Sequence, residues 1–171
     1  MGHLWGNALA GACLVISLGY AGAAWSGEAA SPALEFEGMT FVASQGSKNE
    51  VVLAAEHARV ETQKKLAHLE TVHAQLASGR GTPGLDMRCE RGTVNIETSN
   101  FDAEGNVRGT TGDGRRFRTQ RLRYIHGPGL VSTDSPVEIQ DETGTYRGAG
   151  FRYYVRQNRF QLRQAATVVQ Q

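Results

Sequence analysis

No Asp, Glu, Lys or Arg occurs before Glu28, and no Lys occurs from Asp86 to the end of this 171-residue chain. Cysteine is scarce, with only Cys13 and Cys89. Cys13 lies inside an apolar stretch and Cys89 at the start of a strand-like run, so they do not read as a disulfide pair. A lipoprotein cysteine follows its apolar region, whereas Cys13 has Leu14, Val15 and Ile16 after it. Both read as small buried hydrophobes. The net charge is only +1, and a general nucleic-acid binder needs a strong basic excess to release counterions. Catalytic patterns are missing too. His57, His68 and His73 are the only histidine cluster, without His-Glu-x-x-His spacing. Laid on one strand, His68 and His73 fall on opposite faces. No Gly-x-Ser-x-Gly elbow frames a nucleophile, and the glycines of Gly109–Gly114 lack a P-loop lysine. The sequence therefore predicts no enzyme, no metal site and no cofactor.

The uncharged opening carries information of its own. Leu4 to Trp25 is long enough, at 1.5 Å per residue, to cross a hydrocarbon core of ~30 Å. Trp5 and Trp25 stand near its ends, where amphipathic rings favour the membrane interface. Two outcomes fit: a retained single-pass anchor, or a cleaved signal peptide with small-residue sites such as Ala21-Gly22-Ala23. The absence of a basic n-region favours the anchor, with the bulk outside the cytoplasm. This divides the chain into an anchor or signal segment at 1–27, a linker at 28–38 and a folded domain at 39–171. The small residues run from Ser26 to Ala33, and Phe36, Met39, Phe41 and Val42 read as the entry strand.

The folded part is punctuated by turn signals at short intervals. Leu122-Arg123-Tyr124, a Gly127-Pro128-Gly129 turn and Leu130 to Ile139 are echoed downstream. The echo is Phe151-Arg152-Tyr153, a turn at Arg156 to Asn158, and Phe160 to Val169. Such self-similarity marks stacked units that cannot bury their apolar faces alone. Residues 49–78 are ambiguous. Their Ala, Glu, Lys and Leu content favours helix, but Val51 to Val60, a turn at Gln63 to Lys65, and Leu66 to Leu76 also make a hairpin. The hairpin is the reading taken, because tertiary pairing overrides propensity. The regular turn spacing predicts an all-β sandwich, roll or barrel.

Alternation within the strands selects an interior. Val94 and Ile96 share one face, as do Leu122 and Tyr124, Val137 and Ile139, Phe151 and Tyr153, and Phe160 and Leu162. Phe101 joins them. Arg supplies every basic charge after Asp86: Arg115, Arg116, Arg118, Arg121 and Arg123 crowd one strand. They read as a solvated, edge-blunting strand face in preference to a phosphate site.

Two stretches carry a family resemblance. Thr133-Asp134-Ser135-Pro136-Val137-Glu138-Ile139 is followed by Gly144-Thr145-Tyr146-Arg147-Gly148-Ala149-Gly150-Phe151. With the apolar N-terminus, linker and hairpin run, this resembles the LptC group of periplasmic lipopolysaccharide-export proteins. That group sits within the LptA/LptC/organic-solvent-tolerance β-jelly-roll superfamily. The resemblance implies an open β-jelly roll, a rolled sheet whose interior holds lipid acyl chains. It also implies a single-pass inner-membrane protein with its bulk in the periplasm. Such a protein receives lipopolysaccharide from an inner-membrane ABC transporter complex and passes it to an LptA-like bridge protein through edge-strand pairing. The expected trough residues are Val94, Ile96, Phe101, Leu122, Tyr124, Val137, Ile139, Phe151, Tyr153, Phe160 and Leu162. The expected partner edge is Ala165, Thr167, Val168 and Val169. A scaffold that binds proteins without lipid is the alternative.

Overall fold

The computed structural model describes residues 33–45, 48–78, 83–163 and 167–169. The apolar segment at 1–27, both cysteine-bearing alternatives for it, and Ala165 lie outside those residues. The described chain is a run of antiparallel strands in one 12-stranded sheet. Six long strands come first: β1 (Ala33–Gln45), β2 (Lys48–Glu61), β3 (Leu66–Ala77), β4 (Pro83–Asn95), β5 (Phe101–Thr111) and β6 (Arg116–Ile125), each paired with the next. Six short strands follow: β7 (Leu130–Thr133), β8 (Val137–Asp141), β9 (Gly144–Gly148), β10 (Gly150–Tyr154), β11 (Arg159–Arg163) and β12 (Thr167–Val169). A 3₁₀ turn at Val155–Gln157 precedes β11.

Residues 49–78 are strands, as the hairpin reading expects. Val51, Leu53 and Ala55 alternate inward, and β2 is hydrogen-bonded on both sides, to β1 and β3. Two ladders outweigh the helical propensity of its Ala and Glu residues. β1 begins at Ala33, so residues 33–38 of the expected linker are strand.

The long strands change phase once, except β5, where the two extra residues Gly105 and Asn106 keep Phe101, Ala103, Val107 and Thr111 on one face. β3 buries Ala67 and Leu69, exposes both Glu70 and Thr71, then buries Val72, Ala74 and Leu76. β6 does the same around Gln120 and Arg121. β2 does so around Glu56 and His57, and β4 around Glu90 and Arg91. The register skips Gly38, Glu56 and Thr71 in line, and bulges between Arg88 and Arg91 and between Glu104 and Val107. Gly38 (φ 77°), Thr71 (51°), Gly105 (77°) and Asn106 (47°) sit on this line in the left-handed region. Bulges bend a strand and reverse which residues face inward. A crease therefore crosses the sheet and folds it into two halves whose apolar faces look at each other.

This crease corrects the histidine expectation. His68 and His73 are on the same, outer, face, because Thr71 lies between them and shifts the parity. Counting residues along one strand gives the wrong face wherever a bulge intervenes.

The late strands cross the crease by breaking rather than bending. β7 and β8 are separated by Asp134-Ser135-Pro136, and Pro136 has no N–H to donate to a ladder. β9 and β10 are separated at Ala149, where a Cβ on Gly150 would stand 2.3 Å from the Thr133 carbonyl oxygen. The sheet consequently forks beyond β6. One end of β6 continues through β8, β9 and β12, and the other through β7, β10 and β11. The expected unbroken strands 130–139 and 160–169 are each two strands, one per half.

Candidate functional site

The two halves enclose one apolar cluster running from Ala43 in β1 to Val155. Its middle is tightly filled. Phe101, Val107, Phe117, Val131, Phe151 and Tyr153 are all at most 2% exposed. Phe117 from one half meets Phe151 from the other edge-on, with ring centroids 5.2 Å apart. Two glycines make room for these rings. A Cβ on Gly92 would lie 2.4 Å from the Phe101 ring, and one on Gly109 would lie 2.5 Å from Phe117. At interior packing density nothing else fits between them.

The filling thins out toward the last strands. Phe151 stacks on Phe160 at 5.1 Å, and Phe160 is only half-buried. Beyond it a cavity of about 260 Å³ opens between the two branches, lined by Ile139, Tyr146, Phe160 and Leu162, with Arg115 and Asp141 at its rim. The Arg115 guanidinium lies 5.9 Å from the Phe160 ring centre, and its Nη1 is 2.5 Å from Asp113 Oδ2. Hydrogen bonds from the Thr143 hydroxyl and backbone N–H hold the Asp141 carboxyl below its ordinary range. The mouth is thus greasy inside and charged outside.

The opposite end is open as well. Leu34 (52% exposed) and Phe36 (43%) pair across from Val60 and Ala58, which are buried. They face inward on β1, which has no second neighbouring strand among the described residues to cover them. The entry-strand reading named Phe36 with Met39, Phe41 and Val42 but not Leu34, and the 28–38 linker boundary cut both off from the domain. The Leu34-Glu35-Phe36-Glu37 alternation was the signal that could have found them.

Between the mouths the free ends of the two halves are clasped together. Arg156 Nη2 is 2.9 Å from Glu50 Oε2, and its Nη1 donates to the Gly127 carbonyl at 2.6 Å. The Tyr153 hydroxyl donates to the Gly84 carbonyl at 2.8 Å, and Asn158 Oδ1 lies equally near. Val155 is buried beneath the 3₁₀ turn, and its N–H donates to the Gly129 carbonyl.

All eleven trough candidates face this one interior. Val94, Phe101, Leu122, Tyr124, Val137, Ile139, Phe151 and Tyr153 are buried; Ile96, Phe160 and Leu162 are half-buried against the same cluster. Ile96 sits in the turn after β4 rather than on it. Of the eleven, Ile139, Phe160 and Leu162 line the cavity at the mouth. Burial pushes the Tyr124 hydroxyl up to about 12 and the Cys89 thiol up to about 11. Thr167, Val168 and Val169 pair with Arg147, Tyr146 and Thr145, and β12 has no second neighbour among the described residues. Also among the described residues, no group of three or more His, Cys, Asp or Glu is placed to hold a metal. No helix among them is long and apolar enough to cross a membrane.

A bent, forked sheet with an apolar interior, open at both ends, has a counterpart in known proteins. The family model for lipopolysaccharide-assembly, LptC-related proteins matches residues 28–170. The chain belongs to the LptC-related family. Its fold is similar to that of LptH from Pseudomonas aeruginosa, described as the LptA-homologous periplasmic component of a lipopolysaccharide transport device. The TM-score is 0.57 at 11% identity, covering 71% of this chain and 94% of LptH. At that identity the likeness speaks to fold alone. No curated protein sequence matches the chain. LptC membership makes this a transport protein of lipopolysaccharide assembly, not an enzyme.

Proposed function

We propose that this LptC-family chain carries lipopolysaccharide by its acyl tails between the two half-sheets and hands it on along the crease. The mouth at Ile139, Tyr146, Phe160 and Leu162 carries this reading, because it connects the apolar interior to the surface at the last strands. Each methylene moved from water to such an interior gains about 0.8 kcal/mol. A tail held only by apolar contact is bound firmly yet free to slide. The filled middle requires the branches to part for a tail to pass, and the broken strands β7–β12 are where parting costs fewest ladder bonds.

In this reading the lipid arrives from an inner-membrane ABC transporter complex and leaves to an LptA-like bridge protein. The bulk of the chain lies in the periplasm, held by an N-terminal anchor. The free edges at β1 and β12 offer unpaired main-chain groups for strand addition. Val168→Pro is expected to weaken bridge-protein binding while leaving the fold largely intact.

One observation favours the alternative of a scaffold without lipid: the centre is already filled by its own side chains. Photo-crosslinkers at Ile139 and Phe151 separate the two. Adducts with lipopolysaccharide at both positions are expected for a carrier. Protein adducts alone at both would leave the scaffold.

A further inference from the structure

The outer faces of the two half-sheets are charged in different ways. On the half containing β7, signs alternate across the strands. Glu70, Arg91, Glu104 and Arg121 stand in successive paired positions, and Arg123 Nε is 2.6 Å from Asp102 Oδ1. That face neutralises itself. On the half containing β8, Arg88 pairs directly with Arg108, and Arg108 directly with Arg118. All three are exposed, and Arg116 is exposed two residues along β6 from Arg118. Like charges directly opposite on neighbouring strands are destabilising.

The row ends at Glu138, directly opposite Arg118 on β8, and the carboxylates beside it make their hydrogen bonds and ion pairs with other side chains. Asp86 accepts from Gln75 and pairs with His73 at 2.8 Å. Glu138 is held by Arg147 at 2.9 Å. Arg108 Nε donates only to the neutral Asn106 side chain. Among the described residues, no carboxylate oxygen lies within 4.0 Å of Arg88, Arg108, Arg116 or Arg118. Shallow grooves of about 570 and 300 Å³ flank Arg108, the first bordered by Arg88 with Asp86 and Glu90 and the second by Arg116 and Arg118 with Glu138, so the second is the more basic. The sequence reading of a merely solvated face does not account for a row of one sign beside a half that alternates.

We infer that this arginine row is a docking face for an anionic bilayer surface, whose phosphates settle over the guanidinium groups and into the flanking grooves. The face is flat sheet with no aromatic side chain among its grooves' exposed residues, so it lacks the buried anchors of a protein hot spot. Guanidinium forks match phosphate oxygens two at a time. Attraction of each arginine to an anionic surface is additive and falls off within a Debye length. Lying on the membrane by this face turns the half containing β7 away from it. The inference is independent of lipid carriage in the interior.

The test uses the full chain and two sets of vesicles, phosphatidylcholine alone and phosphatidylcholine with roughly 30% phosphatidylglycerol, the fraction at which the surface potential is substantial. The apolar N-terminal segment contributes equally to both, so the excess binding on anionic vesicles is what is read. The combined variant Arg88→Gln, Arg108→Gln, Arg118→Gln is expected to lower that excess at least about tenfold, as 0.5 M salt also does. A control with Arg91→Gln, Arg121→Gln and Arg123→Gln removes the same charge from the self-neutralised half and is expected to keep most of the excess. Retention of the excess in the first variant, or an equal loss in both, overturns the inference. Equal protection of the row by polyglutamate would assign the face to an acidic protein instead.

Discussion

The first six strands and the last six meet the same difficulty, an apolar face that must reverse at the crease, and meet it differently. β1 to β6 bend through it with bulges and left-handed residues, so each ladder continues on both sides. β7 to β10 stop and restart, leaving two branches joined by Asp134-Ser135-Pro136 and Ala149. A continuous strand couples the two halves through covalent chain and adjacent hydrogen bonds. An interrupted one lets them separate with little ladder lost. The difference assigns rigidity to the beginning of the roll and the capacity to open to its end, next to the mouth at Phe160.

The largest effect expected to sharpen that contrast is in the core. Phe117→Ala, on a bent strand and 2% exposed, should lower unfolding stability by about 3–5 kcal/mol. Phe160→Ala, half-buried at the mouth, should cost less than half as much. Urea unfolding of both variants measures this, and equal losses would erase the distinction between filled centre and loose end.

A second prediction concerns pH. The Tyr124 hydroxyl on β6 is raised to about 12 by burial, against an unfolded value near 10. A raised folded pKa means that the stabilisation is complete below about 10 and is lost as pH rises through about 12. Tyr124→Phe should flatten that alkaline decline in a thermal-unfolding pH series. An unchanged decline would mean that the rigid end opens before its tyrosine ionises.

The smallest equilibrium effect belongs to the clasp. Arg156→Ala removes a partly exposed ion pair worth at most about 1 kcal/mol. Hydrogen exchange should nevertheless quicken at Phe151 to Tyr154 more than at Val72 to Leu76. Uniform quickening would show that the two ends open together.

Much of the fold was legible because alternation survives in short windows. Val94 lies between Thr93 and Asn95 and Leu122 between Arg121 and Arg123, and both are interior. The hairpins followed from turn residues such as Gly127-Pro128-Gly129. What failed was any inference carried across the crease: His68 and His73 were given opposite faces, and the late strands were drawn unbroken. Parity is a local property, and one extra residue resets it. Leu34 was missed, and Phe36 was read as entry strand without its inward face, because only pairing with Val60 and Ala58 turns a short alternation into an inward-facing edge. The arginine row was invisible for a related reason, since Arg88, Arg108 and Arg118 come together only through the register of three strands.

By itself, the sequence determined that this chain makes a two-faced sheet from hairpins, because residues two apart share a side wherever the backbone is extended. Where the sheet folds on itself, how far its interior is filled and which charges stand shoulder to shoulder were decided by the tertiary structure. Those properties depend on bulge positions and cross-strand register, which arise from packing between segments distant in sequence.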